Sequence, residues 1–197
     1  MIVIKRASEL DFDIRSKMAE LFVEGFGQWL TYFSKDNEKL KAVFNHIFFL
    51  HKFFIAIDND KVVGMSGCAE STESTVELNR REFGKHLGFF KGTISYYLLK
   101  HEFCKTTPGA NSGTGSIEFV ATSKEHRGRG IATALIKHII SEADYNEFIL
   151  EVADTNIAAV NLYTGIGFKE YARIKQKYSR KTGVNYLVYL KYIKTKK

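Results

Sequence analysis

Arg127-Gly128-Arg129-Gly130 stands at the head of the apolar run Ile131-Ala132-Thr133-Ala134-Leu135-Ile136. If that run is a helix, its first-turn amides lack intrahelical partners and, with the helix dipole, form a place for an anion. Glycines at 128 and 130 clear side chains from that backbone, and the two guanidinium groups add charge-assisted contacts. The stretch alone leaves open an anion site, a tight structural turn and a flexible tether for nucleic acid. A dinucleotide fingerprint needs a further glycine where Thr133 stands, and a nucleoside-triphosphate loop needs a Gly-Lys-Ser/Thr ending that is absent.

One carboxylate lies close by in sequence. Glu118 sits between Ile117 and Phe119, where strict alternation puts it on the side of Val120 and Thr122, either directed at a cleft or exposed at a sheet surface. Six histidines show no metal-ligand spacing, and His126 and His138 read as surface or packing residues. Cys68 and Cys104 read as buried thiols rather than a disulfide or a metal pair, which fits a reduced, cytoplasmic protein. No apolar run is long enough to span a membrane, and MIVIKRASEL is charged too early for a secretory signal. The net charge is +7, with ten Lys or Arg between Lys169 and Lys197 against the single acid Glu170. That end reads as a basic, solvated hairpin and tail, or as an attraction for a polyanion or anionic cofactor.

These residues need elements to hold them. Branched residues at 1–6 predict a strand, and apolar spacing predicts helices over 11–29 and 36–50. A hairpin follows over 51–69, turning at Asp58-Asn59-Asp60. Residues 77–103 are rich in Leu, Phe and Tyr and read as helical, and 106–116, with the only proline, as a loop. A strand over 117–121, a helix to 143, a strand over 147–152 and a helix over 156–165 come next. Strands over 168–175 and 185–192, joined by a turn at 179–183, close the chain. Strands and helices alternate without a linker, which predicts one mixed α/β domain over 1–197.

Two motifs in order add a resemblance. Arg127, Gly130 and Ala132, with Arg129 and Ile131 at the variable positions, fit the Arg/Gln-x-x-Gly-x-Gly/Ala motif of the GNAT superfamily of N-acetyltransferases. Downstream, Asn156, Ala159, Leu162, Tyr163, Gly167 and Phe168 fit that family's second motif, Asn-x-x-Ala-x-x-Leu-Tyr-x-x-x-Gly-Phe. The marked resemblance covers 117–171. It implies a central, mostly antiparallel mixed sheet flanked by helices, with a helical insert or lid over 77–110 before the coenzyme-binding strand. It also implies acetyl-coenzyme A as cosubstrate, no metal, and a small-molecule or peptide amine as acceptor.

The resemblance assigns roles residue by residue. Backbone groups of Phe119, Val120, Ala121 and Thr122 would pair with the pantetheine arm, in a gap where that strand splays from its neighbour. The pyrophosphate would rest on the amides of Arg127, Gly128, Arg129, Gly130, Ile131 and Ala132. Asn156 would orient the pantetheine, although Asn is also a good helix N-cap, and Asn161 would be a secondary contact. Tyr163 would protonate the leaving thiolate, and Glu118 would serve as base or acceptor anchor. Glu24, Phe26 and Trp29 would line the acceptor site. Phe83, Phe89, Phe90, Tyr96 and Tyr97 would roof it or form the insert's own core. A non-catalytic acyl-coenzyme A module and a basic nucleic-acid binder stacking bases on Tyr178, Tyr186, Tyr189 and Tyr192 are the alternatives; a homodimer is compatible with all of them, and no membrane partner is expected.

Overall fold

A computed structural model of the chain describes residues 2–103, 105–177 and 179–195. Runs rich in branched and aromatic residues suit a pleated, half-buried surface. They form β1 (Ile2–Arg6), β2 (Phe53–Asp58), β3 (Lys61–Glu70), β4 (Thr114–Thr122), β5 (Glu147–Ala153), β6 (Lys169–Lys175) and β7 (Tyr186–Ile193). The strands make one sheet in the order β1-β2-β3-β4-β5-β7-β6. Every pairing is antiparallel except β4 with β5. Asn59 and Asp60 have φ values of 47 and 60, the left-handed pair that a tight hairpin turn requires. The fold is therefore the mixed, mostly antiparallel α/β sheet that the sequence predicts.

Seven α-helices accompany the sheet among the described residues: α1 (Arg15–Leu30), α2 (Asn37–Phe44), α3 (Arg80–Leu87), α4 (Phe89–Phe103), α5 (Ile131–Glu142), α6 (Ile157–Ile166) and α7 (Ser179–Thr182). Alternation along β2 sends Phe53 and Ile55 to one face and Phe54 and Ala56 to the other. The first face is covered by α1 and α2, with Phe22, Phe44 and Phe48 at its centre. The second is covered by α5, whose Ile131, Leu135, Ile136, Ile139 and Ile140 are all buried as its spacing predicts. Two glycines let these helices approach. A Cβ on Gly25 would stand 3.2 Å from the Ala121 Cβ, and one on Gly64 would stand 2.9 Å from the Ile131 Cγ2.

Several boundaries differ from expectation. The α1 helix starts at Arg15, because Asp13 accepts the Arg15 amide at 3.0 Å and ends the extended approach there. The α2 helix, capped by Asp36 on the amides of Glu38 and Lys39, stops at Phe44. Beyond it Phe48 pairs with Val76 in an antiparallel bridge, and that pairing overrides the helical spacing. The β4 strand begins at Thr114, so the glycine-rich loop ends at Gly113. The turn at 179–183 holds one helical turn, closed by the Gly183 amide on the Ser179 carbonyl at 2.8 Å. Cys68 is buried, and burial pushes its thiol up to about 12. Cys104 and Tyr178 lie outside the described residues.

The α3 and α4 helices meet at Gly88, whose φ is +83. They pack through Gly92, where a Cβ would lie 2.6 Å from the Phe83 carbonyl carbon and 2.7 Å from the Gly84 nitrogen. The aromatic side chains of this hairpin divide. Phe83 is fully buried and Tyr96 and Phe103 pack against the α1-side core, whereas Phe89, Phe90 and Tyr97 are exposed. They are thus neither one roof nor one core.

Candidate active site

Among the described residues, the one parallel pairing in the sheet is also the shortest. Thr114, Gly115 and Ser116 pair with Glu147, Phe148 and Ile149, and there the β4–β5 ladder ends. Beyond Ser116, β4 stays with β3, and beyond Ile149, β5 stays with β7. The two strands therefore part into a wedge, with backbone groups of residues 117–122 along one side.

A bulge reshapes that side. Between Met65 and Gly67 on β3 stands one residue, while two stand between their partners Ala121 and Glu118. Phe119 takes a φ of 50 there, and an extra residue in one strand bends it and re-aims its side chains. Phe119 turns into the α1-side core, 5.6 Å from Phe22, 6.0 Å from Phe26 and 5.3 Å from Phe103 between ring centroids. Val120 packs against the α5-side core instead. This corrects the alternation reading: Glu118 does not share a side with Val120. Its Oε2 accepts the Thr75 hydroxyl at 2.6 Å and its Oε1 the Ser116 hydroxyl at 3.0 Å. Burial raises its pKa, while the bonds from Thr75 and Ser116 and the charge of Lys52 pull the other way.

At the end of β4 the chain makes a short turn (Lys124–His126) and enters α5. Gly128 and Gly130 have φ values of 74 and 76, and a Cβ on either would meet nothing within 4 Å. Gly130 is the N-cap of α5 and no side chain caps the helix. The first-turn amides have no side-chain cap, which is what an anion cradle needs. Arg127 curls back so that its Nε donates to the Thr122 carbonyl at 3.4 Å, and Arg129 is exposed. Ile131 is buried beneath the cradle and Ala132 is half-buried. We expect Gly130→Val to weaken acetyl-coenzyme A binding at least tenfold by calorimetry, because a left-handed, β-branched residue there costs about 1–2 kcal/mol and intrudes on the cradle.

Asn156 caps α6, its Oδ1 accepting the Ala159 amide at 3.2 Å. Asn161 is exposed on the same helix. Tyr163 is buried in the α5-side core, 6.1 Å from Phe168 between ring centroids, and burial alone pushes its phenol up to about 12. On the other face, Glu24 accepts the backbone amide of Lys124 and so ties α1 to the turn before α5. Phe26 packs beside Phe22 at 5.1 Å, and Trp29 stays partly exposed. Sequence reasoning missed Thr75 and Ser116. Neither lies in a recognisable motif, and only the fold carries Thr75 to β4. Among the described residues no cluster of three or more His, Cys, Asp or Glu could hold a metal ion, and no helix is long and apolar enough to cross a membrane.

Comparison with known proteins gives consistent findings. A family model described as the acetyltransferase (GNAT) family matches residues 17–168. N-alpha-acetyltransferase 30 of Schizosaccharomyces pombe is 24% identical over 163 residues, covering 79% of this chain and 85% of that protein. N-acetyltransferase 8B of Rattus norvegicus is 41% identical over 54 residues, 26% of this chain; the match spans only 24% of that relative. An N-acetyltransferase from Staphylococcus aureus Mu50 superposes with a TM-score of 0.65 at 17% identity, over 96% of this chain and 100% of that one. The ribosomal-protein-S18-alanine N-acetyltransferase of Escherichia coli gives 0.59 at 13% identity, over 100% and 96%. At such identities the solved structures speak for the fold.

Proposed function

The chain belongs to the GNAT acetyltransferase family, and from that premise we propose that it moves an acetyl group from acetyl-coenzyme A to a primary amine. The amine belongs to a small molecule or a peptide and attacks the thioester directly. The observation that carries this reading is the wedge between β4 and β5, with the uncapped first turn of α5 following it. In this reading the open edge of Phe119, Val120, Ala121 and Thr122 takes the amides of the pantetheine arm. The backbone from Arg127 to Ala132 takes the pyrophosphate, and Arg129 adds charge. With its Oδ1 occupied, Asn156 offers its side-chain NH₂ to the arm, and Asn161 contributes from the next turn.

The thioester supplies an activated acyl group; the chain supplies the proton transfers. Tyr163 gives its phenolic proton to the leaving sulfur. A phenol near 12 is a poor donor to a thiolate in water, whose pKa is about 8.5. A site that excludes water raises the thiolate too, in the same direction as burial moves the Tyr163 phenol. Donor and leaving group then shift together. Glu118 takes a proton from the ammonium, and its raised pKa makes it a stronger base than a surface carboxylate. Glu24, Phe26 and Trp29 border the acceptor side, and a cytoplasmic, reducing setting completes the reading.

An amine panel tests it. Acetyl-coenzyme A should bind by calorimetry, and at least one amine should release free thiol at a rate proportional to enzyme. Binding without turnover of any amine would leave the non-catalytic acyl-coenzyme A module. Nucleic-acid binding with a steep salt dependence, in place of coenzyme binding, would favour the polyanion reading.

A further inference from the structure

We propose that Thr75 and Ser116 are positioning residues for Glu118: one hydroxyl on each carboxylate oxygen fixes the direction in which the base presents its free lone pairs. This rests on the reading of Glu118 as the base. The geometry is specific. Thr75 Oγ1 donates to Oε2 at 2.6 Å and Ser116 Oγ to Oε1 at 3.0 Å, so neither oxygen can rotate away without losing a partner. Both hydroxyls are buried, Thr75 at 0% and Ser116 at 5% exposure, where an unmade hydrogen bond is costly.

The donors are themselves held. Ser116 is the last residue of the β4–β5 ladder, paired with Ile149 and with Ala69 of β3. It marks the apex of the wedge, and regular alternation past Ile117, which is buried in the α5-side core, leaves Glu118 on the α1-side face with Ser116. Thr75 arrives from the segment between β3 and α3, which is stitched to the chain after α2. The Phe49 amide donates to the Thr75 carbonyl at 3.1 Å, the Glu77 amide to the Ile47 carbonyl at 2.8 Å, and Val76 bridges Phe48. A threonine pinned on both sides sets the carboxylate before substrate arrives, as preorganisation requires.

The groups facing the carboxylate are few. Lys52, on the turn before β2, favours the charged form from a distance while its ammonium bonds Glu73 at 2.8 Å and the Ser74 carbonyl at 2.9 Å. Cys68 on β3 also feels Glu118, but its thiol is protonated at working pH. Ser66 donates to the backbone carbonyls of Gly67 and Glu118, each at 3.4 Å, and not to the carboxylate. The hydroxyls of Thr75 and Ser116, with a hydrogen bond from the Thr75 backbone beside them, thus make the direct contacts on the carboxylate.

The test measures thiol release against pH, with the best amine of the panel, for wild type, Thr75→Val, Thr75→Ser, Ser116→Ala and Glu118→Gln. Rate should rise with pH as Glu118 ionises. Both hydroxyl bonds favour the ionised form, so Thr75→Val and Ser116→Ala should each move that rising limb to higher pH. We expect kcat to fall about tenfold to a hundredfold at neutral pH, with acetyl-coenzyme A affinity unchanged. Thr75→Ser should restore both the limb and the rate, which a lost packing contact would not do. An inactive Glu118→Gln beside wild-type pH profiles for Thr75→Val and Ser116→Ala would overturn the positioning role alone. Full activity in Glu118→Gln would overturn the base itself. If Thr75→Val does not fold, Ser116→Ala carries the same comparison.

Discussion

Tyr163→Phe should lower kcat for acetyl transfer by at least 10²-fold while leaving the fold and acetyl-coenzyme A affinity intact. The size follows from what a positioned acid contributes, typically 10²–10⁴. The selectivity follows from where the side chain sits. Its ring is buried among Phe168 and the α5-side residues, and burial is the sole cause of its raised pKa, with no neighbouring charge or hydrogen bond contributing. Removing an oxygen with so little engaged leaves the packing in place, so the stability change should stay below about 1 kcal/mol. Thiol release, a thermal melt and calorimetry on the same preparation separate these quantities. Equal turnover in the two proteins would remove Tyr163 from the chemistry.

Gly92→Val should have the largest effect on structure. At this position a Cβ collides with the Phe83 carbonyl and the Gly84 nitrogen, backbone atoms that cannot swing aside as a side chain can. The α3 and α4 helices must separate, at a cost of about 1–3 kcal/mol or more, seen as a fall of roughly 2–12 °C in Tm for a chain of this size. The damage should be one-sided. The α4 helix ends on Phe103, which packs 5.3 Å from Phe119 on the α1-side core, the proposed acceptor face, while the start of α5 lies on the opposite core. We therefore expect kcat/KM for the amine to fall by at least tenfold and acetyl-coenzyme A affinity to change less than twofold. Deleting residues 82–104 should give the same division. Wild-type amine kinetics in a Gly92→Val protein whose hairpin has come apart would exclude a lid role.

The geometry of the proposed coenzyme side was legible in the sequence because its determinants are local. Glycines before an amphipathic run state a bare helix start, the Asn156 cap and the Tyr163 phenol stand seven residues apart in one motif, and Ile131 to Ile140 declare the buried face of α5. The acceptor side was not, because its determinants are pairings between distant segments. The bulge at Phe119 arises from how β4 meets β3, and no residue type in 117–122 announces it; strict alternation therefore grouped Glu118 with Val120, which the bulge sends to the other face. Thr75 is one of several threonines in a polar stretch until the bridge between Phe48 and Val76 carries it to the carboxylate. The same bridge ended α2 early, against its helical spacing. Glu24 reads as a substrate ligand by its place in α1, yet the fold gives its carboxylate a backbone amide.

Three residue pairs make up the β4–β5 ladder, and that seam joins the four strands before it to the three after it. A wedge that takes a coenzyme arm completes a ladder which the polypeptide leaves short. Under the proposed reading the coenzyme then contributes to holding the protein together, by mass action rather than by sequence. At a hundredfold excess over its Kd, a ligand that binds only the native state adds about 2.7 kcal/mol to stability, a sizeable share of what a domain possesses. The persistence of this enzyme in a cell would then follow the supply of acetyl-coenzyme A, coupling its abundance to the metabolite it consumes.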